Sequence, residues 1–98
     1  MKRRFHPEVG HDIEEAADWY EERKTGLGGT FLAALESCLE RIEEQPALYQ
    51  RVRGAIRRAP LPRPFPHGVF YRSHPEVLEV LAVLHPARNP RIWSERGR

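Results

Sequence analysis

The chain has 98 residues and a mass of 11.4 kDa, enough for one domain around a single core and too little for two independent ones. Its 40% hydrophobic and 31% charged residues exclude collagen-like, low-complexity and wholly disordered classes, and no apolar run approaches the ~20 residues of a membrane span. The formal net charge of +2 conceals a division: residues 1–50 hold 6 Lys+Arg and 11 Asp+Glu, a net −5, whereas residues 51–98 hold 10 Arg, no Lys and 3 Glu, a net +7. Arginine's planar fork grips phosphate or carboxylate bidentately, so the basic half is either a polyanion-facing surface or a solvated face.

In chain order, Lys2 to Phe5 can form a short strand. The basic start leads into no apolar stretch, which argues against a secretory signal. Pro7 suits a first helical turn. After it, Val9, Ile13, Ala16, Ala17 and Tyr20 make one apolar helical stripe, while Asp12, Glu14, Glu15, Asp18, Glu21 and Glu22 are expected mostly off the stripe and in water. Gly26-Leu27-Gly28-Gly29 reads as a tight connection to a second stripe of Phe31, Leu35, Cys38, Leu39 and Ile42, which Pro46 ends. Helices joined so briefly should form an antiparallel hairpin. Cys38 sits on the stripe, so a buried inert thiol is expected, and a lone cysteine suits a reducing cytoplasm.

The period then changes. Ile56 to Ala59 is a weak strand candidate, and the alternating Pro60, Pro62, Pro64 and Pro66 make this segment an edge or an irregular connection. Val69 to Arg72 is rich in β-formers, Ser73 to Glu76 reads as a turn, and Leu78 to His85 reads as a largely buried strand. The fold class expected is α+β: a helical hairpin packed on a small, mainly antiparallel sheet in the order β-α-α-β-β-β, with residues 1–98 as one domain. Arg91, Arg96 and Arg98 are expected in a frayed tail.

An ordered set of residues runs through nearly the whole chain: Phe5-x-Pro7; Asp12, Glu15-Ala16 and Trp19-Tyr20-Glu21; Gly26-Leu27-Gly28 and Phe31; Pro46-x-x-Tyr49-x-x-Val52; Arg57-Arg58; Phe65-Pro66-x-x-Val69-x-Tyr71; and His85-x-x-Arg88-x-Pro90-x-x-Trp93. In this it resembles the RelE/ParE superfamily of toxins from type II toxin–antitoxin modules, especially the plasmid-stabilisation group. The resemblance implies a cytoplasmic, growth-inhibiting toxin with no cofactor, neutralised by a cognate antitoxin that folds around it in a hetero-oligomer. It implies one of two targets: DNA gyrase for ParE-like members, or the translating ribosome with its mRNA for RelE-like endoribonucleases.

Cleaving RNA through its own 2′-hydroxyl needs a base, cations for the phosphate and an acid for the leaving oxygen. Arg57, Arg58, Arg72 and Arg88 can supply cations but not the base. His85, His67, Glu76, Glu79 and Glu95 remain, and His85 is the best of them because it titrates near neutrality and ends the clearest strand, three residues before Arg88. A catalytic set of His85, Arg88 and Arg72 is therefore expected if the protein is a nuclease. RelE-like nucleases, however, carry lysines on the sheet and a C-terminal tyrosine, whereas the basic half here has no lysine and offers Trp93, which can stack on a base but not exchange a proton. These departures lean towards a ParE-like, non-hydrolytic toxin whose target or antitoxin meets Arg57, Arg58, Arg72, Arg88 and Trp93. A domain that only binds nucleic acid or antitoxin is the remaining alternative. Arg57 and Arg58 could also simply pair with helix acids such as Glu40 or Glu43. The five histidines lack metal-ligand spacing, and no metal is expected.

Overall fold

A computed structural model describes residues 1–98. The chain runs β1 (Lys2–Phe5), α1 (Val9–Arg23), α2 (Leu27–Glu44), β2 (Gln50–Arg53), β3 (Ile56–Pro60), β4 (Gly68–Ser73), β5 (Val77–Leu84) and α3 (Arg91–Arg96). The five strands form one sheet in the order β1-β5-β4-β3-β2. β1 runs parallel to β5 and every other pair is antiparallel. The expected β-α-α-β-β-β scaffold is present, with β2 and α3 added to it.

Both apolar stripes turn towards the sheet. Val9, Phe31, Leu35, Cys38, Leu39 and Ile42 are buried with Ala59, Val69, Tyr71, Leu78, Val80 and Val83 of the strands, and Ile13, Ala16, Ala17 and Tyr20 pack against that core. The helices approach closely where they cross: a Cβ on Gly28 would lie 2.7 Å from the carbonyl oxygen of Ala17. Gly28 is therefore already helical, and the connection is confined to Lys24–Gly26, with Gly26 at φ +89°. Glu21, expected in water, caps α2 instead. Its carboxylate accepts the N–H groups of Gly26 and Gly28 at 2.9 and 3.0 Å, placing negative charge at a helix N-terminus that has spare donors.

The outer side of the sheet has its own smaller cluster of Ile56, Phe70, Leu81, Ala82 and Leu84, covered by Ile92 and Trp93 of α3. A β-bulge builds both faces out of one strand. Phe70 faces Ala82, but the next residue, Tyr71, faces Val80, so Leu81 is the extra residue and the alternation switches sides there. Leu78, Val80 and Val83 consequently point to the hairpin, and Leu81, Ala82 and Leu84 to α3. Simple alternation would have put 78, 80, 82 and 84 on one face.

Four further expectations change. β3 is an interior strand, because Gln50–Arg53 pairs along its outer side and the prolines begin only at its last residue. Asp12 is buried, and Arg96 belongs to an ordered helix and meets it: Nη1 and Nη2 of Arg96 donate to Asp12 Oδ2 and Oδ1 at 2.6 and 3.1 Å. The same carboxylate accepts the N–H of Val83 at 3.1 Å, and Arg96 also reaches the carbonyl of Leu81. The pair thus ties α1, the bulged strand and α3 together. Finally, Glu43 and Glu36 are partnered by Arg3 of β1, in paired bonds of 2.8–3.2 Å, and not by Arg57 or Arg58.

Candidate functional site

Two clefts meet the C-terminal end of β5, and a third lies beside α3. The largest, about 430 Å³, opens between α1 and the end of β5 and is lined by Asp12, Glu15, Ala16, Trp19, Tyr20, Pro66, His67, Val83, Leu84, His85 and Arg88. Its walls are aromatic. Tyr20 stacks on Phe31 and meets Trp19 and Phe65 edge-on, while His67 meets His85 at 90° with ring centres 5.5 Å apart. Trp19 stays half exposed, with the Arg23 guanidinium 3.4 Å above its ring.

The second cleft, about 210 Å³, lies on the outer face and shares His85 and Arg88 with the first; Val52, Arg58, Phe70 and Trp93 are among its other walls. Trp93 lies flat on Phe70, with centroids 4.9 Å apart and planes 11° from parallel. The Arg58 guanidinium stands over the same phenyl ring and donates to the Pro66 carbonyl at 3.1 Å. The fold therefore brings together four of the residues singled out from the sequence: His85, Arg88, Arg58 and Trp93.

Arg57 and Arg72 lie elsewhere. Arg57 pairs in register with Tyr71, a hairpin-facing residue, and donates to the carbonyls of Ala47 and Tyr49 at 3.2 and 2.6 Å, so it staples the chain leading into β2. Arg72 faces Glu79 across β4 and β5 and holds it in two bonds of 3.1 Å, with a third to the Gly97 carbonyl at 2.5 Å. Burial pushes the Glu79 carboxyl up, but hydrogen bonds from Arg72 and His74 outweigh it and hold the group below its usual range. A third cleft of about 260 Å³ lies beside Arg72, with Arg53, Arg98 and Ser94 among its lining.

The hydrogen bonding of His85 constrains what it can do. The Ala87 N–H donates to its Nδ1 at 3.0 Å, so a neutral ring keeps its proton on Nε2. A general base needs a free lone pair there. His67 is no substitute: burial, aided by His85 and Arg58, lowers its pKa to about 4. Glu79 is held by Arg72 and His74, Glu95 pairs with Arg91 on α3, and Glu76 is exposed in the β4–β5 turn. Burial raises the Cys38 thiol to about 11, as its place on the stripe predicts.

Comparison with known proteins decides the family. The model of the ParE toxin of type II toxin–antitoxin systems matches residues 3–90. The chain belongs to the ParE toxin family. The match ends at the residue before α3. Among solved structures, the chain is similar to one described as the chromosomal ParDE toxin–antitoxin system from P. aeruginosa: 14% identical, TM-score 0.61, covering 87% of this chain and 95% of that one. No curated protein sequence matches. The family match spans every residue of the ordered set but Trp93, and the chain is a ParE-type toxin of the type II class. No helix is long and apolar enough to cross a membrane.

The sequence reading missed two parts of this site. The hairpin's share of the large cleft is Glu15, Ala16, Trp19 and Tyr20; Ala16 and Tyr20 carry only a core signal, and Glu15 and Trp19, off the stripe, carry none that points to a cleft. The Asp12–Arg96 pair left a signal, since Asp12 stands three residues after Val9 and four before Ala16, on the buried stripe itself.

Proposed function

We propose that this toxin arrests bacterial growth by trapping DNA gyrase on cleaved DNA, and that it acts in the cytoplasm until a cognate antitoxin covers it. The observation that carries the choice of gyrase over mRNA cleavage is the state of His85. The expected base spends its Nδ1 lone pair on a backbone N–H and so carries its proton on Nε2 when neutral, an arrangement suited to donating to an acceptor and not to removing a 2′-hydroxyl proton. Arg72, the other expected catalytic cation, is committed to Glu79 and the Gly97 carbonyl. For the antitoxin, the 430 Å³ cleft supplies aromatic walls for apolar anchors, with Arg88 at its lip for a neighbouring carboxylate. The resulting complex is a toxin–antitoxin hetero-oligomer.

The test is a side-by-side target assay with purified protein. Trapping of gyrase–DNA cleavage complexes is expected, with no codon-dependent cutting of ribosome-bound mRNA. If cutting appears and His85→Ala abolishes it, the protein is an endoribonuclease and the gyrase reading fails. Growth that continues after induced expression would leave only an antitoxin- or nucleic-acid-binding domain. Arg88→Glu is expected to weaken antitoxin binding or toxicity.

A further inference from the structure

The two clefts of the outer face flank α3: Trp93 lines one, and Ser94 with Gly97, the residue after the helix, lines the other. Together they gather Arg53, Arg72 and Arg98 on one side and Arg58, Arg88 and His85 on the other, and neither is lined by an aspartate or glutamate. The large cleft against the hairpin, by contrast, includes Asp12 and Glu15. Arg53, Arg58 and Arg98 form no ion pair, Arg88 reaches Glu15 only at 3.4 Å, and Arg72 alone is neutralised closely. Most acids of the chain lie on the hairpin, some capping α2 or pairing with β1, while Glu79 neutralises Arg72 and Glu95 pairs with Arg91 on α3. Four under-neutralised guanidiniums in two concave, acid-free clefts are therefore a built cationic surface.

We propose that this face grips the phosphodiester backbone of duplex DNA, with α3 lying between the two lines of contact. Guanidinium forks match phosphate oxygens, and such contacts carry affinity without reading sequence. Duplex is favoured over single strand by the aromatic side chains. Phe70 is buried and Trp93 spends one face of its indole upon it, so the face lacks the succession of open rings on which unpaired bases stack. The biological setting rests on the gyrase reading, because gyrase holds the duplex that the toxin would touch; the surface itself does not depend on it.

The experiment is fluorescence anisotropy of a short labelled DNA duplex titrated with the purified full chain, with neither gyrase nor antitoxin present. With about four phosphate contacts the affinity should fall roughly 150-fold between about 50 and 200 mM NaCl, a log–log slope near −3.6. Arg53→Ala and Arg88→Ala, both at exposed positions, should each weaken binding and reduce the slope by about 1. Lys24→Ala, at the hairpin turn, removes the same charge and should change neither. Thermal melting of each variant establishes that it is folded. The proposal is overturned by no binding at the lower salt, by equal weakening in Lys24→Ala, or by tighter binding of an equal-length single strand. It is also overturned if a polyglutamate peptide binds these arginines and the duplex does not, which would make the face an acidic-peptide site. A toxin that binds DNA without trapping gyrase keeps this inference and removes the gyrase reading; one that traps gyrase without binding DNA does the reverse.

Discussion

Asp12→Ala should be among the most destabilising single substitutions in this protein. The Asp12 side chain is 4% exposed and that of Arg96 13%, so truncation leaves a guanidinium beneath the protein with only the Leu81 carbonyl, and the Val83 N–H with no acceptor. Removing one partner of a buried ion pair costs about 3–5 kcal/mol, because the surviving charge stays desolvated. The whole stability of a domain this size is about 5–15 kcal/mol. At about 4–8 °C per kcal/mol, even the lower cost lowers Tm by at least about 12 °C. α3 offers one escape. If it undocks, Arg96 regains water and the global loss is capped, but Trp93 then leaves Phe70. Thermal unfolding should therefore be followed by far-UV and near-UV circular dichroism, the second reporting the Trp93 environment. The apolar double variant Asp12→Leu/Arg96→Met leaves no buried charge and should lose less stability than its two single variants together, with a coupling of about 0.5–3 kcal/mol. A loss below about 1 kcal/mol for Asp12→Ala with an unchanged near-UV signal, or strict additivity in the cycle, would refute the idea that this pair clamps α3.

Acid should destabilise the fold through His67. Its pKa is lowered to about 4 in the folded protein against about 6.5 when unfolded, so the unfolded chain binds more protons between those values. Stability is then fully present above pH ~6.5 and falls by up to about 3 kcal/mol as pH drops towards 4. Urea unfolding between pH 7.5 and 4.5 measures this, and His67→Phe should flatten that part of the profile. Gly28→Ala forces a methyl group against the Ala17 carbonyl and should cost about 1–3 kcal/mol by overpacking, read as a lower urea midpoint with an unchanged slope. Cys38 should resist alkylation in the native state and react once urea unfolds the chain, because a buried thiol raised to about 11 is almost free of thiolate at neutral pH. Rapid native alkylation would mean that the α2–sheet core opens locally.

The parts of the fold legible in the sequence were those whose signal is local. Val9 to Tyr20 and Phe31 to Ile42 repeat at helical spacing because one face of each helix must leave water, and Val69 to Leu84 shows β-formers and alternation because a buried sheet needs them. The ordered motifs from Phe5 to Trp93 were legible for a related reason, since a family's residues keep their order along the chain. β2 was not legible. All four of its residues are exposed, so no burial pattern marks them, and they form a strand only because β3 offers them hydrogen bonds. The bulge at Leu81 was hidden too, because a run apolar at nearly every position gives no phase from which to read a change of side. For the site, residue types and spacing show which cations and aromatics are available and put His85 and Arg88 together at a strand end. Folding brings Arg58 and Trp93 to them, while Arg57 and Arg72 are spent on carbonyls and Glu79. Folding also brings Asp12 to Arg96 across 84 positions and gives the His85 Nδ1 lone pair to the Ala87 N–H. These outcomes depend on which groups compete for a partner once the sheet has closed, and a one-dimensional pattern of residue types holds no record of that competition.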